Sequence, residues 1–195
     1  MDGALAAYEQ VMATEDIPLG MRLNVMRTLS QLHMVSEDYD NALKYVDMLI
    51  ENSLEPSADN HLLKAQILYQ MERMDPAMAE IETGIELQAA RDLPPRENWL
   101  LLKNAIFYHR NDYDGMLAVV QQLVDLYPRD RYLLNMAAIY GELGDSKKQL
   151  ALMEPLYERG SLTNVTHMIN LASLYLLHDI PIKAARLLDE ELEAE

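Results

Sequence analysis

"DYDNALKY", residues 38–45, is nearly rewritten 74 positions later as "DYDGMLAV", residues 112–119. Each copy opens an apolar stretch of helical period. Asp suits the entry to a helix because its carboxylate can accept from the first free backbone N–H groups. Tyr can pack across the turn. Two other stretches, "MDPAMAE" (74–80) and "DIPIKAA" (179–185), open comparable segments with Pro76 and Pro181. Proline is tolerated at a helix start because its missing N–H has no partner there anyway.

Working outward from these openings, the residues Ala4, Ala42, Ala77, Met116, Gln149 and Ala184 recur at intervals of 38, 35, 39, 33 and 35. Twelve positions before the last five lie Ser30, Ala65, Asn104, Ala137 and Ala172. Four positions after the six come Tyr8, Val46, Ile81, Val120, Met153 and Leu188. A small residue in one helix and another opening the next let two backbones approach closely, with larger apolar groups filling the space beside them. Self-similarity at this period marks an array of helical hairpins, each with an apolar face that only a neighbour can cover.

The pattern predicts an all-α protein of about eleven helices: 2–13, 19–35, 38–52, 58–72, 74–90, 96–110, 113–126, 130–143, 146–159, 163–177 and 181–194. Three departures stand out. Asn104 and Gln149 occupy positions that favour small apolar residues. Set against the helical-hairpin repeat family that this register resembles, Trp99 falls one place from the usual aromatic. Pro155 lies inside a helix, where it removes one backbone bond.

This register, with "AAIYGELGD" (137–145), "LASLYLLHD" (171–179) and Pro128 closing "VDLYP", resembles the tetratricopeptide repeat (TPR) family along nearly the whole chain. The resemblance implies a right-handed α-α superhelix, or solenoid. Residues 1–195 then form a single array: an orphan second helix at 2–13, followed by repeats at about 19–52, 58–90, 96–126, 130–159 and 163–194. An array opening on half a unit reads as a piece of a longer protein. Its end helices lack a polar cap, so self-association through them is one expected behaviour.

Composition narrows the function. There is no cysteine, so thiolate metal sites, disulfides and a Cys nucleophile are excluded. The net charge of −16 disfavours nucleic acid and anionic membrane surfaces, which call for clustered Lys and Arg. An acidic surface serves solubility, and it also suits a basic partner. No run is long enough for membrane insertion. The five histidines include no pair at i, i+4 and no H-E-x-x-H. No phosphate-cradling glycine loop or G-x-S-x-G occurs, so neither an enzyme nor a cofactor is expected. Thirteen methionines suit irregular gaps between crossed helices, or an adaptable binding surface.

The TPR resemblance also implies a concave groove lined by the first helix of each unit. In this register the lining is Asn24, Arg27, Gln31, Asp59, Gln66, Tyr69, Gln70, Asn98, Tyr108, His109, Arg131 and Glu142. Amides and phenols suit the backbone of a bound peptide or helix.

Residues 156–192, with "ERGSLT", "NLASLYL" and "HDIPIKAARLL", resemble TPR proteins encoded beside TonB systems of Gram-negative bacteria. That resemblance implies a periplasmic scaffold, an accessory of TonB-dependent outer-membrane transport that holds a basic TonB-system component. The alternative is a cytoplasmic chaperone or assembly module, or a self-associating structural array.

Overall fold

The computed structural model describes residues 2–14 and 16–194. Eleven helices and no strand are present among them. They are α1 (Asp2–Met12), α2 (Leu19–Val35), α3 (Tyr39–Asn52), α4 (Ala58–Gln70), α5 (Met74–Ala89) and α6 (Glu97–His109). Then follow α7 (Tyr113–Leu126), α8 (Asp130–Glu142), α9 (Ser146–Glu158), α10 (Val165–Leu177) and α11 (Pro181–Ala194). Every expected helix is present, with ends shifted by two residues at most. Contacts group the chain into two compact units, Met1–Ile106 and Phe107–Glu195.

The repeated openings have one geometry. Glu37, Glu72, Asn111, Gly144 and Asp179 all adopt left-handed backbone, φ between 54° and 73°. They stand 35, 39, 33 and 35 residues apart, the same intervals as the small residues. After each, a backbone N–H reaches back to the last turn of the preceding helix: Asp38 to His33 O, Arg73 to Leu68 O, Asp112 to Phe107 O, Asp145 to Tyr140 O and Ile180 to Tyr175 O. These bonds satisfy carbonyls that the helix end leaves open. Three of the turns then cap the next helix with a carboxylate. Asp38 accepts from the N–H of Asn41, Asp112 from Gly115 and Asp145 from Lys148, at 3.3, 2.9 and 3.1 Å. The two "DYD" segments are thus the same hinge between paired helices.

The small residues lie where the register requires. Ser30, Ala42, Ala65 and Ala77 are fully buried in the first unit, and Ala137, Ala172 and Ala184 are buried in the second. The hydroxyl of Ser30 donates to the carbonyl of Ala42 at 2.9 Å, a direct record of the close crossing twelve positions apart. Around Ala42 and Val46 pack Leu63 and Ile67, with Met34, Tyr39 and Met71 beside them. In the second unit Met153, Leu156, Leu171, Tyr175 and Leu187 close around Ala137, Ala172 and Ala184. Three expected positions differ. Ala4 and Tyr8 are exposed, and in α11 it is Leu187, not Leu188, that faces the core.

The irregular positions are resolved by exchange of bulk between neighbouring helices. Trp99 in α6 is fully buried, and a Cβ built on Gly84 of α5 would lie 2.5 Å from its ring carbons Cη2 and Cζ3. Phe107 stands in the same relation to Gly115, with approaches of 2.5–2.8 Å. Gln149 fits a small-residue position because Gly141 leaves the space: a Cβ there would lie 2.9 Å from its Nε2. Trp99, Phe107 and Gln149 are therefore each answered by a glycine on the opposing helix. Pro155 is accommodated within α9, which runs on to Glu158.

Candidate functional site

The helices that open each pair carry the expected groove residues. Asn24, Arg27 and Gln31 follow one another at three- and four-residue steps on α2, and all three are exposed. On α4, Asp59, Gln66, Tyr69 and Gln70 share a second face, with Asn98 exposed on α6. The opposite flank of α4 is spent on structure. There His61 and Lys64 both bind Glu80 of α5, at 2.6 and 2.8 Å, and Lys64 also reaches Asp47 of α3 at 3.0 Å. Burial pushes the Glu80 carboxyl up, but hydrogen bonds from His61 and Lys64 outweigh it and leave the group below its ordinary value.

Part of the expected lining is committed inside the fold. The Arg27 guanidinium donates to the buried side chain of Asn60 at 2.9 Å, tying α2 to α4. Asp59 is ion-paired to Arg96 just before α6. In the second unit, Arg131 lies over the ring of buried Tyr132 and donates to its hydroxyl. These three side chains are engaged within the protein, so they are poorly suited to reading a ligand.

Gln66, Tyr69 and Gln70 converge instead. With Met34, Val35, Glu37, Tyr39 and Leu102 they line an open cavity of about 510 Å³ between the end of α2, the start of α3, and helices α4 and α6. Sequence reasoning missed its apolar walls because it sought polar groups. The signal was nonetheless present: Met34 and Val35 stand 35 residues before Tyr69 and Gln70, at the same place in the repeat. Four polar side chains, those of Tyr39, Gln66, Tyr69 and Gln70, make no side-chain hydrogen bond among the described residues.

In the second unit the equivalent positions are Tyr108 and His109, Gly141 and Glu142, and Leu176 and Leu177. Tyr108, His109 and Glu142 are exposed. Along α10, Val165, Ile169, Leu176 and Leu177 form an exposed apolar stripe, Leu177 at 65 %. No group of three or more metal-ligating side chains occurs among the described residues, and no helix there is long and apolar enough to cross a membrane.

No family model and no curated protein sequence matches the chain. Solved structures do. A tetratricopeptide repeat protein from Parabacteroides merdae is 11 % identical, covering 97 % of this chain and 72 % of that one, with a TM-score of 0.68. YrrB, described as a TPR protein with an unusual peptide-binding site, is 13 % identical over 96 % of this chain and 91 % of its own, TM-score 0.65. MamA is 13 % identical over 80 % and 86 %, TM-score 0.66. The fold is accordingly a TPR-like α-helical solenoid, of the class built from stacked helix pairs.

Proposed function

We propose that this chain is a non-enzymatic, TPR-type scaffold that binds a peptide or helix of a partner protein on the exposed faces of its first-of-pair helices. The observation that carries the reading is the cavity where Gln66, Tyr69 and Gln70 meet Met34, Tyr39 and Leu102. Apolar walls supply the affinity of burial, and unengaged amides and phenols supply hydrogen bonds for a peptide backbone. The similarity in fold to YrrB, itself described as having a peptide-binding site, is in keeping with this use. Selection of a displayed random-peptide library on the protein tests it. Selected peptides should lose at least tenfold in affinity to a Gln66→Ala/Tyr69→Ala variant that keeps its helical content. Equal binding to the variant would refute the site.

The proposed setting is the periplasm, as an accessory of TonB-dependent transport. The resemblance of residues 156–192 and the charge of −16 support it. A basic TonB-system component would associate faster with such a surface, and salt would slow it. Cross-linking in envelope extracts at low salt should capture such a component, with loss at high salt. Recovery only of cytoplasmic partners, with the protein itself in the cytoplasmic fraction, would replace this setting with the assembly-module alternative.

A further inference from the structure

We infer that the cavity between α2, α4 and α6 is an anchor site for a two-residue feature: an apolar side chain flanked directly by Lys or Arg. The inference rests on the peptide-binding reading above and specifies what that site selects.

The lining divides by chemistry. Met34, Val35, Leu102 and the rings of Tyr39 and Tyr69 supply apolar lining, and Gln66 and Gln70 supply amides. Glu37 is the one charged residue in that lining, and no cation accompanies it. Two charges on the same helices are already engaged. Asp38 accepts from His33 and from both the side chain and backbone of Asn41, and Arg27 is held by Asn60. The carboxylate of Glu37 makes no hydrogen bond or ion pair among the described residues. Its backbone is set, because Glu37 is the left-handed residue that closes α2, with its own N–H bonded to Met34 O, and its exposed side chain starts from that point at the cavity.

An unpaired carboxylate beside an apolar cavity selects by charge. An acidic or phosphorylated segment meets repulsion with no compensating cation. A purely apolar segment meets the apolar lining but leaves Glu37 unanswered. A segment that buries one large side chain and extends an adjacent ammonium or guanidinium satisfies both, while Gln66 and Gln70 can bond its backbone as donor and acceptor. The acidity of the first unit favours the same partner: residues 1–106 carry 18 acidic and 8 basic groups, a net charge of −10.

Three fluorescent dodecapeptides of Gly and Ser test the assignment, differing only in a central Phe-Arg, Phe-Glu or Ser-Arg pair. Fluorescence polarisation at low salt should rank Phe-Arg about fivefold tighter than Phe-Glu, with Ser-Arg weakest. Glu37→Gln, which keeps size and exposure, should cost the Phe-Arg peptide about threefold, as expected for one exposed ion pair. Val35→Arg, at a 64 %-exposed position, should abolish Phe-Arg binding without unfolding the protein.

If Phe-Arg and Phe-Glu bind alike, or Glu37→Gln changes nothing, the basic anchor is wrong while the groove reading stands. If library-selected peptides bind and ignore Val35→Arg, the cavity is not the anchor. If no peptide of any kind binds, the groove reading itself fails.

Discussion

Replacing Gly84 with Ala puts one methyl group against the ring of Trp99. At most exposed helix positions this substitution stabilises by about 1 kcal/mol, because Ala has the better helix propensity. Here the added Cβ would lie 2.5 Å from both Cη2 and Cζ3 and 3.4 Å from Cε3. The obstacle is the rigid face of an indole that is itself fully buried. The ring has no solvent into which to swing, so helix α5, helix α6 or both must shift. Overpacking of this kind costs about 1–3 kcal/mol. That range is an observed net effect, so Gly84→Ala should lower the unfolding free energy by about 1–3 kcal/mol.

Urea melts followed by far-ultraviolet circular dichroism measure it. Gly20→Ala is the control, since a Cβ there meets nothing within 4 Å, and it should be neutral or slightly stabilising. A Trp99→Phe background supplies the cycle: with the smaller ring, the cost of Gly84→Ala should fall by at least 1 kcal/mol. A stabilising Gly84→Ala in the native background would refute the exchange of bulk between these helices.

Three further outcomes are expected. Asp112→Ala removes the carboxylate that accepts from Gly115 N and should cost about 1 kcal/mol in the same melts. Gly144→Ala forces a side chain into left-handed backbone at φ 73° with no steric neighbour, and should cost about 1–2 kcal/mol from the backbone alone. The carboxyl of Glu80 is held below its ordinary value in the folded protein. Its contribution is therefore present above about pH 4.3 and is lost as pH falls through the lower folded value. Thermal melts from pH 7 to pH 3 should show a shallower acid decline for Glu80→Gln than for the native protein.

The fold was legible because its cause is local and periodic. Small residues such as Ser30, Ala42, Ala137 and Ala172 must recur wherever two helices cross, and a linear text displays recurrence. The partners of the irregular residues were not legible. Nothing in the sequence says that Trp99 answers Gly84, or Gln149 answers Gly141, because each pairing depends on how two helices are placed across a turn.

The candidate face was legible as a face, since position in the repeat fixes the side of a helix on which a residue stands. Its chemistry was only partly so. Arg27, Asp59 and Arg131 look like ligand-reading groups, yet each is held by Asn60, Arg96 or Tyr132. Conversely, Met34, Val35 and Leu102 look like core, yet they help wall an open cavity, Met34 while also packing beside Ala42 and Val46. An apolar residue in a binding wall carries the same letter as one in a core.

Hydrogen-exchange mass spectrometry of the protein with and without a library-selected peptide tests the central claim most directly. Protection confined to the segments 31–39, 66–70 and 98–102 is the predicted result. Protection confined to α3 and α5, with those segments unchanged, would contradict it.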